Sequence, residues 1–413
     1  MEGVLTQFLQ FFPGIESFVV MGPGPSLVRI ALIFLGFALV YLGYKNILEP
    51  LLMIPMGMGV SMVNAGILLM PSLEPGAGSE LGTMFLNPLV KTAPEHIDAL
   101  QIYFLQPIYA LSFSNGLIAC LVFLGIGAIT DLEFFISNPR LSILLAIPAE
   151  LGSILTFPIA KAMGFNTGEA AAIAIIGGAD GPMVLFASLQ LAKSLFVPIT
   201  IVAYIYLSIV YAGYPFLIKA LVPRRLRGLP MRDVKMNNVS PGEKLAFSVV
   251  AGTLLCLLFP VAAPLFVCFF LGTAIRESGV SRYAKVSDDV ILSGATLFLG
   301  FTLGCLLSAN IVMDTKMLKL IILGFTALFL SGVGGLLGGL VAYKVSGGRI
   351  NPLLGIAGVS CVPTTAKVAH KCAQEVDPTV FILHYAMGPC IAGVITTAVI
   401  TACYVTFVRL LPA

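Results

Sequence analysis

The chain has 413 residues, 58% of them hydrophobic and 10% charged, with a formal net charge of +3. Soluble domains average about 45–50% apolar and about 25% charged residues, so this sequence lacks the polar side chains that a water-facing surface of its size demands. Lipid is the remaining solvent, and several near-uncharged runs reach the roughly 20 residues that cross a bilayer as a helix. The chain therefore reads as an all-α, multi-pass membrane protein whose surroundings are membrane lipid. Its net charge says little about partners, and no nucleic acid is expected among them.

Residues 1–25 open with acids and no Lys or Arg. A secretory signal needs a basic start, so this stretch reads as an interfacial amphipathic segment. Spans follow at roughly 26–44, 50–71, 116–130, 141–163, 194–220, 244–272, 289–311, 317–344 and 380–407. Shorter apolar pieces around 102–113, 169–191 and 351–370 are too brief or too rich in Gly and Pro for simple spans. They read as broken or re-entrant helices, which must be buried in protein or line a wet cavity because lipid does not tolerate unpaired backbone. The total is roughly 9–11 helices.

Glu49, just before Pro50, opens a helix where the macrodipole favours an acid. Tyr204 and Tyr206 carry hydroxyls in mid-span that need partners, unless they are generic interfacial aromatics. The largest polar break, 222–244, is rich in Lys and Arg and is predicted to be cytoplasmic by the positive-inside rule. It divides a first membrane half, 26–221, from a second, 245–413. Another polar segment, 275–289, would face the opposite side if an odd number of spans separates the two.

The halves look related. The first contains GGADGP (177–182) and the second NPLLGIAGVSCVP (351–363), both with small residues, one polar side chain and a proline. Broken helices at corresponding places of two halves point to an ion or substrate site. Asp180 could cap a turn at a helix end. A carboxylate in hydrocarbon costs at least about 2.5 kcal/mol, however, which favours a functional acid. Such an acid can hold a proton or a cation. The flanking glycines let carbonyls approach a small hard cation. Asn351, Ser360 and carbonyls around Gly355 and Gly358 add oxygens that suit Na⁺, although a serine can also bond back to its own helix. Lys367, seven residues after Ser360, can attract an anion or neutralise Asp180, or can simply snorkel to the membrane edge.

Other chemistries fit less well. Ala179 stands where an intramembrane aspartyl protease needs Gly, and no Lys follows the glycines as in a phosphate-binding loop. His96, His370 and His384 have no helical metal spacing, so no transition metal is expected, and the eight scattered cysteines read as small buried hydrophobes.

Six stretches occur in fixed order: YKNILEPLLMIPMGMG (44–59), FLGIGAITDLEFFISNPR (123–140), IIGGADGP (175–182), AYIYLS (203–208), IRESG (275–279) and NPLLGIAGVSCVPTTAKVA (351–369). Together they resemble the β subunit of the Na⁺-translocating carboxybiotin decarboxylases, the oxaloacetate, methylmalonyl-CoA, glutaconyl-CoA and malonate enzymes. The resemblance runs from about residue 30 to the C-terminus. It implies two inverted repeats arranged as scaffold and core, a homotrimer, and a place in a bacterial or archaeal inner membrane. It also implies biotin on a carrier subunit or domain, a carboxyltransferase subunit and a small membrane-anchor subunit. The implied activity is decarboxylation of carboxybiotin coupled to Na⁺ export, with a proton consumed.

Carried over, the Na⁺- and proton-linked aspartate falls on Asp180, the Asn-Gly-Ser set on Asn351, Gly355 and Ser360, and the tyrosine on Tyr206 with Tyr204 beside it. Catalytic roles fall on Asp180, Ser360 and Lys367, the last as the group that meets carboxybiotin. Lys367 stands where the pattern usually has Arg, and Cys390 where many relatives carry an amide. The competing reading is a free-standing Na⁺- or H⁺-coupled carboxylate transporter, which would use inverted repeats and an intramembrane Asp equally well.

Overall fold

The computed structural model of the protein describes residues 11–71, 79–86, 103–231, 234 and 238–410. His96, the first ten residues of the N-terminal segment and part of the basic loop lie outside the described residues. Among the described residues, eight helices are long and apolar enough to cross a membrane, or nine if the bent pair Gln106–Phe113 and Leu117–Ile129, which turns by 66°, counts as one span. The apolar side chains that these helices leave exposed, such as Val249, Val250, Leu254 and Leu257 on Pro241–Leu258, face outward as lipid contact requires. This is a multi-pass membrane protein of the all-α class, with one short two-stranded sheet among the described residues.

Proline at the first turn starts many of the helices, including Pro23–Tyr44, Pro50–Ala65, Pro139–Ala149 and Pro241–Leu258. At that position the missing N–H is an orphan in any case. Two expected spans end differently from the sequence reading. The 50–71 run is helical only to Ala65, and after Gly66 the strand Ile67–Pro71 pairs antiparallel with Ser79–Thr83. The 244–272 run is two helices, Pro241–Leu258 and Ala263–Glu277, because Pro260 supplies no N–H and pushes Phe259 out of helical geometry. Ser248 and Thr273 join these two by a 2.9 Å hydrogen bond. The chain therefore returns to its starting end, and if both helices span, the polar segments 222–244 and 275–289 lie on one side.

The chain forms two compact units. The first contains Met1–Leu117 and Thr296–Leu318. At its centre Arg29, fully buried, donates to the Ala65 carbonyl at 3.0 Å, to Ser17 Oγ at 2.6 Å and to the Asn64 carbonyl, with the Phe18 ring 3.7 Å from its guanidinium. Asn64 in turn bonds the Leu307 carbonyl and the Ala309 N–H. A charge so deep is tolerable because nearly every guanidinium hydrogen has an acceptor.

The second unit contains Ile118–Ala295 and Lys319–Ala413 and holds every residue singled out above as a candidate site. Its core is built on close backbone contact. Gly334, Gly335, Gly338 and Gly339 give Thr315–Val345 a side-chain-free face, and a Cβ on Gly335 would lie 2.6 Å from the Gly355 carbonyl oxygen. A Cβ on Gly358 would lie 2.6 Å from the Leu145 carbonyl oxygen. The backbone of 351–360 is buried, so its polar groups must be satisfied inside the protein.

Candidate functional site

The first break is assembled locally. Thr167–Ala174 begins with a reciprocal cap between Asn166 and Glu169, then tightens into a 3-10 turn over Ile175–Gly178. Ala179 follows at φ 56°, a left-handed conformation that costs a residue with a Cβ about 1–2 kcal/mol. That turn reverses the chain so that Asp180 becomes the N-cap of Gly181–Leu191. Its carboxylate accepts the Met183 N–H at 3.1 Å and is 4% exposed. The positive end of the helix favours an anion here, yet no cationic side chain of the described residues pairs with it.

Tyr204 covers the break from Phe196–Leu221: a Cβ on Gly181 would lie 2.6 Å from its ring. Only glycine admits the ring this close to Asp180. The Tyr204 hydroxyl is buried and has no hydrogen-bond partner among the described residues. Buried hydroxyls nearly always find a partner; this one lies close to the Gly181 backbone beside Asp180 without one among the described residues.

The second break meets the first directly. Ser360 donates its N–H (3.1 Å) and its hydroxyl (2.6 Å) to the Gly178 carbonyl. Two polar groups of one broken helix therefore close on a carbonyl of the other, two residues before Asp180. Leu383–Leu410 closes the third side, with Thr397 Oγ1 3.0 Å from Ser360 Oγ and Gly393 admitting the Gly358–Ser360 backbone.

A second acid completes the cluster, and the sequence reading missed it. Glu150, 2% exposed, joins Pro139–Ala149 to Leu151–Ala162. It accepts the Ser153 hydroxyl at 2.6 Å, and its other oxygen lies within hydrogen-bond reach of the Thr397 hydroxyl and 3.3 Å from the Thr396 hydroxyl. The signal was available: an acid in LAIPAELGSIL (145–155) is as anomalous as one in IAIIGGADGP. Thr397, one hydroxyl among several on its helix, carries no such signal.

The remaining expected residues are placed as follows. Asn351 is fully buried; its amide donates to the Arg227 and Leu229 carbonyls at 3.0 and 2.8 Å and accepts from the Leu353 N–H. It ties the second break to the polar linker and does not join the Ser360–Gly178 contact. Gly355 is the point where that segment touches the Thr315–Val345 backbone. Tyr206, two residues from Tyr204 and so on another helix face, donates to the Ile321 carbonyl at 2.7 Å and borders an apolar cavity of about 340 Å³ with Ile209, Phe325 and Phe329. Lys367 is exposed on Thr364–Gln374. Cys390 is buried with its thiol 3.5 Å from Thr365 Oγ1.

A family described as the Na⁺-transporting oxaloacetate decarboxylase beta subunit matches residues 28–408. The chain is 49% identical to the carboxybiotin decarboxylase of Malonomonas rubra, over 98% of this chain and 100% of that one. It is 36% identical to the methylmalonyl-CoA decarboxylase subunit beta of Propionigenium modestum, over 91% of this chain and 94% of that one. With the oxaloacetate decarboxylase beta chain of Haemophilus ducreyi it shares 31% identity, over 93% and 97%.

Proposed function

The chain belongs to the Na⁺-transporting oxaloacetate decarboxylase β-subunit family, and from that membership we propose that it decarboxylates carboxybiotin and couples the loss of CO₂ to Na⁺ export with consumption of a proton. Biotin arrives on a carrier subunit or domain, loaded by a carboxyltransferase subunit. A small membrane-anchor subunit completes the complex, in which this chain is a homotrimer. The two broken segments belong to inverted repeats, and the basic 222–244 linker faces the cytoplasm, as its Lys and Arg content favours.

Na⁺ is held where the breaks meet, by the Asp180 carboxylate, the Ser360 hydroxyl and carbonyl oxygens such as that of Gly178, with the Tyr204 hydroxyl turned toward them. Oxygen donors of this kind suit a hard monovalent cation. The observation that carries the reading is the double hydrogen bond of Ser360 to the Gly178 carbonyl beside the buried Asp180. Asn351 and Gly355 act by fixing the Ser360 segment, through the linker and through Thr315–Val345 respectively, and Tyr206 anchors the helix that presents Tyr204.

The exposed ammonium of Lys367 attracts the carboxylate of carboxybiotin as a point charge, without the planar fork of an arginine. When the N–C bond breaks and CO₂ leaves, the electron pair stays on the ureido nitrogen, which then takes a proton. Competition between H⁺ and Na⁺ for Asp180 links that demand to ion movement.

The test is Asp180→Asn in the reconstituted complex. Both Na⁺ transport and carboxybiotin decarboxylation should be lost, and full Na⁺-dependent turnover in that variant would sink the assignment. Avidin should block the parent complex, whereas solute uptake by the purified single chain would favour a free-standing carboxylate transporter.

A further inference from the structure

Glu150 has no role in the reading above, yet it is a buried acid joined to the Na⁺-binding oxygens by a row of side chains. The row runs from Glu150 Oε1 to Thr397 Oγ1, to Ser360 Oγ at 3.0 Å, to the Gly178 carbonyl at 2.6 Å. Three contacts therefore connect four oxygens, and each contact needs one hydrogen. Thr397 and Ser360 supply one each, and a carbonyl supplies none. The third must come from Glu150. With a proton on Oε1 the row is complete: Glu150 donates to Thr397, Thr397 to Ser360, and Ser360 to Gly178. Thr396 does not replace it, because its hydroxyl has the Gly393 carbonyl at 2.9 Å as its nearer acceptor. Oε2 remains free to accept the Ser153 hydroxyl.

A cation ligated by both Ser360 Oγ and the Gly178 carbonyl oxygen reverses the row. A hydroxyl that ligates a cation presents its lone pairs, so the Ser360 hydrogen must turn away from Gly178, and Thr397 Oγ1 is the acceptor in reach. The Thr397 hydrogen then turns to Glu150, and the Glu150 proton has no place left.

We propose that Glu150 is a second proton-binding site of this protein, protonated when the Ser360–Gly178 oxygens are empty and deprotonated when they hold Na⁺, with Thr397 relaying the change as a positioning residue. The proton that leaves Glu150 goes to solvent, and the carboxylate left behind accepts from Ser153 and Thr397. Its negative charge favours the cation nearby.

Of the elements packed against Glu150, Leu383–Leu410 presents Thr396, Thr397 and Tyr404, the last bonded to the Ser153 carbonyl at 2.9 Å. The 3-10 turn leads to Asp180, a second buried acid. Thr315–Val345 presents the uncharged Ser331 to the Gly152 N–H, and Glu169 on Thr167–Ala174 is engaged in its own cap. No Lys or Arg forms an ion pair with Glu150 among the described residues.

This inference rests on the Na⁺ site of the preceding subsection. It is tested on the purified full-length chain in its complex by counting protons released per Na⁺ bound, with a pH indicator in weak buffer. The count is taken between about pH 5.5 and 8.5 alongside a Na⁺ binding isotherm. Glu150→Gln should release about one proton fewer per Na⁺ than the parent at the pH of maximal release, since each linked site contributes up to one. An unchanged count overturns the proposal. Thr397→Val, which interrupts the row but leaves Glu150 in place, should lower the count in the same way while Thr397→Ser restores it. If Glu150→Gln fails to bind Na⁺, an unchanged count in Thr397→Val overturns the proposal by itself. Undiminished Na⁺ binding in Asp180→Asn instead defeats the site reading, so the two failures are separable.

Discussion

Asp180 and Glu150 are both acids buried in the same unit, and the protein accommodates them by opposite means. Around Asp180 the backbone does the work: a 3-10 turn, a left-handed Ala179 and the N-terminus of Gly181–Leu191 leave the carboxylate one N–H bond and otherwise open oxygens. Around Glu150 the helices are nearly continuous and side-chain hydroxyls surround the carboxyl, those of Ser153, Thr396 and Thr397. An acid with few fixed donors can exchange one cation for another, whereas an acid ringed by hydroxyls is suited to hold or release a proton without moving the backbone. On the proposed reading, the fold separates a site for ion exchange from a site for proton storage within one cluster.

The sharpest way to break that arrangement is at the seam between the two. A Cβ on Gly177 would lie 2.4 Å from the Ser153 amide nitrogen and equally close to the Gly152 carbonyl carbon, and backbone cannot give way as a side-chain end can. Gly177→Ala should cost roughly 1–3 kcal/mol of stability, the usual range for overpacking, read as a lower thermal midpoint in detergent together with loss of Na⁺ binding. Gly294→Ala, at a helical glycine with open space around its Cβ position, should lower neither. Equal behaviour of the two variants would show that the seam is not tightly packed.

The membrane character, the broken segments and Asp180 were legible in the sequence because each is a violation: too little charge, too much Gly and Pro, and an acid in an apolar run. Glu150 was equally legible by that rule but has only Gly152 beside it, where Asp180 sits among three glycines. Which oxygens meet was not legible. Ser360 reaches Gly178 because glycine faces on Thr315–Val345 and Leu383–Leu410 let three backbones close together, and such contacts between distant residues leave no local pattern. The same limit explains Asn351. Asn, Gly and Ser share one motif, yet Asn351 bonds the linker and Ser360 the other break, because eight residues lie between them, interrupted by the single helical turn Leu354–Ala357.

A smaller effect separates those two motif residues. Ser360→Ala removes the side-chain bond to Gly178 but keeps the N–H bond, and should cost about 1 kcal/mol of stability while weakening Na⁺ binding strongly. Asn351→Ala leaves two linker carbonyls and the Leu353 N–H short of a partner, at about 1–3 kcal/mol where the group stays buried. It should speed tryptic cleavage at Arg224 and Arg225 and weaken Na⁺ binding less than Ser360→Ala does. A reversed order of Na⁺ affinities would make Asn351 a direct ligand.

The smallest effect comes from an acid that does have a cation. Asp131, in the turn after Leu117–Ile129, accepts Lys244 Nζ at 3.0 Å and the Glu133 N–H at 3.0 Å, with Glu133 Oε2 3.4 Å from the same ammonium. Burial alone pushes the Asp131 carboxyl up, but the Glu133 N–H and the Lys244 ammonium outweigh it and hold it below its ordinary value. A depressed folded value contributes stability that is present above the unfolded value, about 3.9, and is lost as pH falls through the folded one. Asp131→Asn should therefore lower the thermal midpoint slightly at neutral pH, and the gap to the parent should close as the pH falls below about 4. Asp131 is thus stabilised as an anion by a partner that stays in place. Among the described residues Asp180 and Glu150 have no such ion-pair partner, so on the proposed reading the ion that neutralises them is one that comes and goes.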